Sequence, residues 1–496
     1  MADMKNLAKD TAIYGVSSIL GKFLNWCLLP FYSYVLTAPE DYGMVTDLYS
    51  WTAVMYILLT YGMETGFFRF VNKSEEESNK VYSTTLFSVA ITSIFFIAVC
   101  LLFNSPISIA MGYGTHPEFI WMMCVIVAID AFSAIPFAFL RYKKRPIAFA
   151  TLKMVMIFVN IVLNIFFLYL CPKIYAWYPG LVDWFFVPSY GVGYVFVANF
   201  LSSIIGLVTL LPFMWLRWIF DWPLLRRMLK YSLPLLILGL AGIMNQSFDK
   251  IIFKYVYPDK QEAMTQLGIY GACFRIGIVM MMFTQAFRYA YEPFVFAKQK
   301  NEDNRKAYAD AMKYYIIFSV FIFLGVMFYL DILQYLIRSD YRVGLVIVPI
   351  ILACYIFQGV YFNLSFWYKL TDKTSLGAII ALIGSVCTIA GNVIFIPIYS
   401  YIGSAWVAFV CFFLMMVISW VLGQKYYPIT YDLKSAGRYT LLGIVLYLAG
   451  MYVPIDSMLL RMVYRTILLL LFVAYVIRKD LPLKSIPLGN KLVKKG

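Results

Sequence analysis

VYSTTLFSVAITSIFFIAVCLLF, residues 81–103, contains no charged residue from end to end. As a helix rising 1.5 Å per residue it is roughly 35 Å long, enough to cross a hydrocarbon core of about 30 Å. Lipid tolerates only helices or closed barrels, because every backbone N–H and C=O must be satisfied internally. The run lacks the apolar/polar alternation of a barrel strand, so it predicts a transmembrane helix.

Working outward, similar runs fall near residues 11–36, 43–70, 81–104, 118–140, 147–171 and 192–216. A second series lies near 231–255, 267–294, 311–330, 345–368, 376–396, 403–423, 438–454 and 460–478. About fourteen crossings in an all-α integral membrane fold are expected. The composition agrees: 62% hydrophobic and 14% charged, against about 25% charged in soluble domains, excludes a water-soluble globule. Little chain is left for a soluble catalytic domain.

The eight cysteines show no Cys-x-x-Cys spacing, and His116 is the only histidine. A disulfide framework, a multi-histidine metal centre and a histidine proton relay are all excluded, and no cofactor is expected. Residues 15–22, GVSSILGK, resemble a phosphate loop only superficially. They put five residues between the glycines, continue with Phe23 and sit in an apolar run. The first run is long and lacks a small-residue cleavage site, so it is taken as a retained span.

An even number of spans puts both termini on one side. The termini and the connectors on their side carry 28 Lys and Arg; the opposite connectors carry Lys173, Lys260, Arg338 and Arg342. This bias predicts cytoplasmic termini. The net charge of +15 then reflects topology and attraction to anionic lipid heads, with no nucleic-acid partner expected.

Within the chain, Tyr42-Gly43 recurs as Tyr270-Gly271, and Tyr61-Gly62-Met63-Glu64 as Tyr289-Ala290-Tyr291-Glu292, both at a spacing of 228. Glu64 and Glu292 are thus repeat positions. The spacing carries the second span onto the eighth in the same direction, which predicts two parallel six-helix lobes. The expected division is a lobe over 1–216, a connector over 217–230, a second lobe over 231–424, and two extra helices with a basic tail over 425–496.

A charge at mid-bilayer costs roughly 2.5–3.5 kcal/mol on insertion scales, so each needs a partner, a wet cavity or a task. Lys22 and Asn25 lie on a small, polar stripe of the first span, where Lys22 either faces a cavity or snorkels to the surface. Lys153, Asn160 and Asn164 share one face of the fifth span, with Asp130 of the fourth nearby, as a structural salt pair or a coupling-ion carboxylate. The seventh span holds Gln246, Asp249 and Lys250; the eighth holds Arg275, Gln285 and Arg288. Arg288 and Glu292 are also spaced for an intrahelical pair. Lys22, Lys153, Lys250 and Arg275 outnumber Asp130 and Asp249, and a cavity lined by them attracts phosphate or carboxylate.

The opening TAIYGVSSILGKFLNW, the hairpin LLPFYSYVLTAPEDYG, METGFFRF, and SLPLLILGL followed by FDKII make the chain resemble the polysaccharide flippases of the MOP superfamily. These are relatives of MATE exporters and of the lipid II flippase. The resemblance implies two six-helix lobes around a central cavity, two further C-terminal helices, and no enzyme. The implied substrate is an undecaprenyl-diphosphate-linked oligosaccharide, moved from the cytoplasmic to the periplasmic leaflet of a bacterial inner membrane. Where the family often has Asp-Arg in the seventh span, this chain has Asp249-Lys250.

On that reading Lys22, Lys153, Lys250 and Arg275 hold the diphosphate, while Asn25, Asn160, Asn164, Gln246 and Gln285 contact sugars. Asp130 and Asp249 are candidate sites for coupling to a proton or sodium gradient. Membrane lipids, a polysaccharide polymerase and chain-length machinery are the expected partners. A MATE-like small-molecule exporter and a non-transporting membrane enzyme or scaffold of envelope synthesis stand as alternatives.

Overall fold

The computed structural model describes residues 15–73, 78–214, 219–297, 304–371 and 373–480. They are helical, with no strand among the described residues. In order the helices are α1 (15–26), α2 (Leu28–Val35), α3 (Pro39–Thr60), α4 (Met63–Lys73), α5 (Ser78–Leu102), α6 (Asn104–Ala110), α7 (Pro117–Tyr142) and α8 (Pro146–Ile165). Then come α9 (Cys171–Trp177), α10 (Gly193–Leu210), α11 (Trp222–Val256), α12 (Ala263–Ala297), α13 (Asn304–Phe328), the single turn α14 (Leu330–Leu333), α15 (Val348–Leu364), α16 (Phe366–Leu370), α17 (Thr374–Tyr426), α18 (Leu433–Tyr452) and α19 (Met458–Lys479). Among the described residues ten helices are long and apolar enough to cross a membrane, and the chain is a multi-pass membrane protein. The expected number was fourteen. Part of the difference is α17, which runs two spans together across Ser400, at φ +53° and ψ −142°.

The second expected span, 43–70, is broken. Tyr61 takes a left-handed conformation (φ 30°) and Gly62 has φ +72°, so α3 stops and α4 carries Glu64 and Arg69. A Cβ at Gly62 would stand 2.8 Å from the Ser232 carbonyl oxygen of α11, and glycine alone fits both the angle and the approach. The repeat partner of Tyr61, Tyr289, lies inside the unbroken α12, so the two aligned segments differ in backbone.

The chain forms two compact units, one of residues 1–275 with 378–411, the other of 276–377 with 412–496. In the first, Met63, Phe67, Tyr82, Ile135, Leu224 and Met228 join α4, α5, α7 and α11. Between helices in lipid, apolar contact yields no hydrophobic gain, so close backbone approach and polar pairs decide the packing. Both occur. Gly43 of α3 meets the Met264 carbonyl of α12, and Gly268 of α12 meets that of Pro39, each so closely that a side chain has no room. Asn245 and Ser385 donate to the carbonyls of Ala381 and Ala241, tying α11 to the first half of α17.

In the second unit, α18 and α19 pack on α13 through Leu324, Phe328, Tyr439 and Phe472. Both ends of that packing are pinned by charges. Arg465, 4% exposed, donates to Asp331 and to the carbonyls of Gly450 and Phe328. At the other end Asp480 accepts from Lys313 and Tyr439.

Within the expected connector 217–230, residues 217 and 218 lie outside the described residues, and α11 begins at Trp222. Asp221 caps that helix, accepting from the Leu224 N–H at 2.8 Å and pairing with Lys80. The Lys80 ammonium and the Leu224 amide hold the Asp221 carboxyl below the usual carboxylate range.

Candidate functional site

Charged and amide side chains of the first unit gather in four groups. In the first, the Tyr32 hydroxyl donates to Asn164 Oδ1 at 2.9 Å, and Asn164 Nδ2 donates to Asn160 Oδ1 at 2.8 Å. Asn199 donates to the Tyr49 hydroxyl. The field of Arg275 acts on Tyr32, Tyr42 and Tyr49. Its guanidinium carbon stands 5.7 Å from the centre of the Tyr42 ring, and its backbone carbonyl accepts from Trp26 Nε1 at 2.8 Å. No carboxylate pairs with Arg275 among the described residues. Half-buried, it is a cation without a counter-ion among phenols and amides.

The second group reverses that arrangement. Lys250, 8% exposed, pairs with the adjacent Asp249 at 2.9 Å and lies 3.8 Å from the centre of the Phe274 ring. Tyr270 donates to the same carboxylate at 2.5 Å. Neighbours along a helix rarely face each other, and the long lysine stem is what lets this pair close. Lys250, expected from the sequence to help hold the diphosphate, thus has Asp249 as its counter-ion.

The third group was missed from the sequence. Lys254, in the last turn of α11, donates to Asp47 Oδ2 at 2.6 Å and to the Met111 carbonyl at 2.7 Å. The Tyr113 hydroxyl donates to the same Asp47 oxygen at 2.7 Å. Asp47 is 0% and Lys254 8% exposed. The signal was available: Asp47 is an acid inside an apolar run, and Lys254 follows Lys250 by one helical turn.

In the fourth group Asp130 accepts from Ser203 at 3.4 Å, and Lys153 lies 4.0 Å from the centre of the Phe137 ring. The two attract one another through space without forming an ion pair, so the direct salt pair considered from the sequence is not made. Glu64 pairs with Arg141. Lys22, Asn25 and Gln246 are exposed, and Gln285, in the second unit, is half-buried. The side chain of Glu292 lies outside the described residues.

The spacing of 228 reaches further into these groups. It relates Asp47 to Arg275. Asp47 meets the cation Lys254, whereas Arg275 accepts at its backbone carbonyl from Trp26.

A family model described as "Polysaccharide biosynthesis protein" matches residues 7–290. Among solved structures, the fold matches the lipid II flippase MurJ in an inward closed conformation at TM-score 0.73 and 14% identity, over 94% of this chain and 99% of that one. An inward-facing multidrug resistance MATE family transporter of the MOP superfamily matches at 0.65 and 14%, over 82% and 94%. A MOP superfamily transporter from Pyrococcus furiosus matches at 0.60 and 13%, over 84% and 95%. No curated protein matches the chain by sequence. At such identities the structural matches establish the fold, and the family model, covering more than half of the chain, establishes that the chain belongs to the polysaccharide biosynthesis protein family.

Proposed function

We propose that the protein is a flippase that carries an undecaprenyl-diphosphate-linked oligosaccharide from the cytoplasmic to the periplasmic leaflet of a bacterial inner membrane. The family is one of polysaccharide biosynthesis, and the fold is shared with a lipid II flippase over nearly the full length of both chains. The polyprenyl tail is at home in lipid, whereas a diphosphate with sugars needs help to cross. Arg275 carries the proposal: its planar guanidinium suits bidentate phosphate binding, and no carboxylate competes for it. Tyr32, Tyr42, Tyr49, Asn160, Asn164 and Asn199 around it supply the rings and amides that sugars require. Lys22 and Lys153 are further candidates for the anion, and Asn25, Gln246 and Gln285 for sugars.

Two lobes over 1–216 and 231–424 would alternate access, with both termini cytoplasmic. Directionality then needs a ligand or an ion that binds the two states unequally. Asp130, which has no ion-pair partner among the described residues, is the better placed of the two coupling candidates, because Asp249 is committed to Lys250. The same fold in a multidrug resistance transporter keeps the small-molecule exporter as the second reading. Reconstituted protein should move a fluorescent undecaprenyl-diphosphate oligosaccharide between leaflets and leave cationic drugs unmoved; drug transport without lipid exchange would reverse the assignment.

A further inference from the structure

The Asp47–Lys254 pair has no part in the proposed anion site, yet among the described residues it is the most deeply buried ion pair of the first unit. It joins α3 to α11, segments 207 positions apart in the chain, and the connector after α6 contributes Tyr113 and the Met111 carbonyl. Beside it, Gly43 and Gly268 bring the backbones of α3 and α12 into contact. The charge bias of the connectors places the Pro39 end of α3, the Val256 end of α11 and residues 111–113 together on the periplasmic side. There an ion pair ties α3 to α11.

Arg275 shows what the pair withholds. Its guanidinium lies beside the Tyr42 ring and pairs with no carboxylate among the described residues, so its charge stays open to an anion. Lys254 is a second cation of the same kind, already neutralised. Asp47 holds it through one oxygen, and its other oxygen, Oδ1, is buried with no hydrogen-bond donor. An incoming diphosphate, with more charge and more acceptor oxygens than a carboxylate, can displace such a partner.

We infer that Asp47–Lys254 is a latch that the anionic headgroup opens, taking the place of Asp47 on Lys254 and so releasing the periplasmic end of α3 from α11. This rests on the flippase reading and adds a second phosphate-binding residue to it. The exchange links arrival of cargo to opening of the far side, since the diphosphate binds the unlatched state better than the latched one.

Hydrogen exchange of the full-length protein in liposomes, with and without undecaprenyl diphosphate, tests the inference. In the native protein the lipid should speed exchange in peptides covering 39–60 and 244–256 by an order of magnitude or more, with α18 and α19 unchanged. Asp47→Asn should show the fast exchange without lipid and respond no further, while the exchanged pair Asp47→Lys with Lys254→Asp should regain protection. Asp47→Asn that exchanges like the native protein overturns the latch, as does loosening throughout the chain, which marks a general loss of fold. Native protein that binds the lipid without change in those peptides overturns the displacement alone. Failure to bind the lipid overturns the flippase reading and the displacement together, while the variants still decide whether the latch exists.

Discussion

Two places in the first unit make opposite use of charge. At one, Lys254 and Asp47 cancel each other in a site closed to solvent. At the other, Arg275 has an indole at its backbone and a phenol at its side chain, and no carboxylate pairs with it among the described residues. Removing a charge from a buried pair leaves its partner uncompensated, which costs stability; removing an unpaired one costs little stability and whatever task the charge performs. The contrast separates charges that hold helices together from charges kept for a ligand. Arg465 and Asp480 at the C-terminal helices belong on the first side, each met by an opposite charge.

The comparison breaks most visibly if Arg275 proves structural. Arg275→Gln should lower the rate of lipid exchange in liposomes on the order of 100-fold, the equivalent of about 3 kcal/mol of lost charge recognition. Its thermal unfolding in detergent should stay close to native. A large fall in unfolding temperature with residual exchange would place Arg275 with the paired charges.

Lys254→Met should do the reverse and destabilise by about 3 kcal/mol, because Asp47 would be left buried and bare. The double variant Asp47→Asn with Lys254→Met should recover much of that loss. Denaturation midpoints of the single and double variants check the coupling, and additive losses would mean that the two charges do not depend on each other.

Much of this architecture is written locally, and the site is not. Runs such as 81–103 announce α5 because hydropathy is a property of neighbouring residues. The break at Tyr61 and Gly62 was hidden, since a glycine in an apolar run also fits a helix and only the Ser232 backbone shows why it cannot be replaced. Arg275, Asn160 and Asn164 stand out in the sequence as polar groups within apolar spans. Tyr32 and Tyr49 do not, for nothing marks them among 40 tyrosines, and Tyr42 is marked only as a repeat position. The pairing of Asp47 with Lys254 needs the folded chain, and the balanced charge of Lys250 needs the rotamer of an adjacent residue.

Smaller effects sharpen the picture. Trp26→Phe removes one hydrogen bond to the Arg275 carbonyl and should cost about 1 kcal/mol, with a modest rise in the lipid concentration needed for half-maximal exchange. A change as large as that of Arg275→Gln would make the indole part of the binding surface itself. At the solvated start of α11, the depressed Asp221 carboxyl contributes stability that is complete above its unfolded value and is lost as pH falls through its lower folded value. Thermal unfolding between neutral and acid pH should therefore show a slightly shallower acid loss in Asp221→Asn than in the native protein; identical profiles would remove the cap from the account.

The central claim is that Arg275 reads the diphosphate. Binding of undecaprenyl diphosphate and of undecaprenyl alcohol to the solubilised protein, at low and high salt, tests it most directly. The native protein should prefer the diphosphate at low salt and lose that preference as salt screens the charge, and Arg275→Gln should show no preference at any salt. Equal affinity for the two lipids in the native protein, or an undiminished preference in the variant, would contradict it.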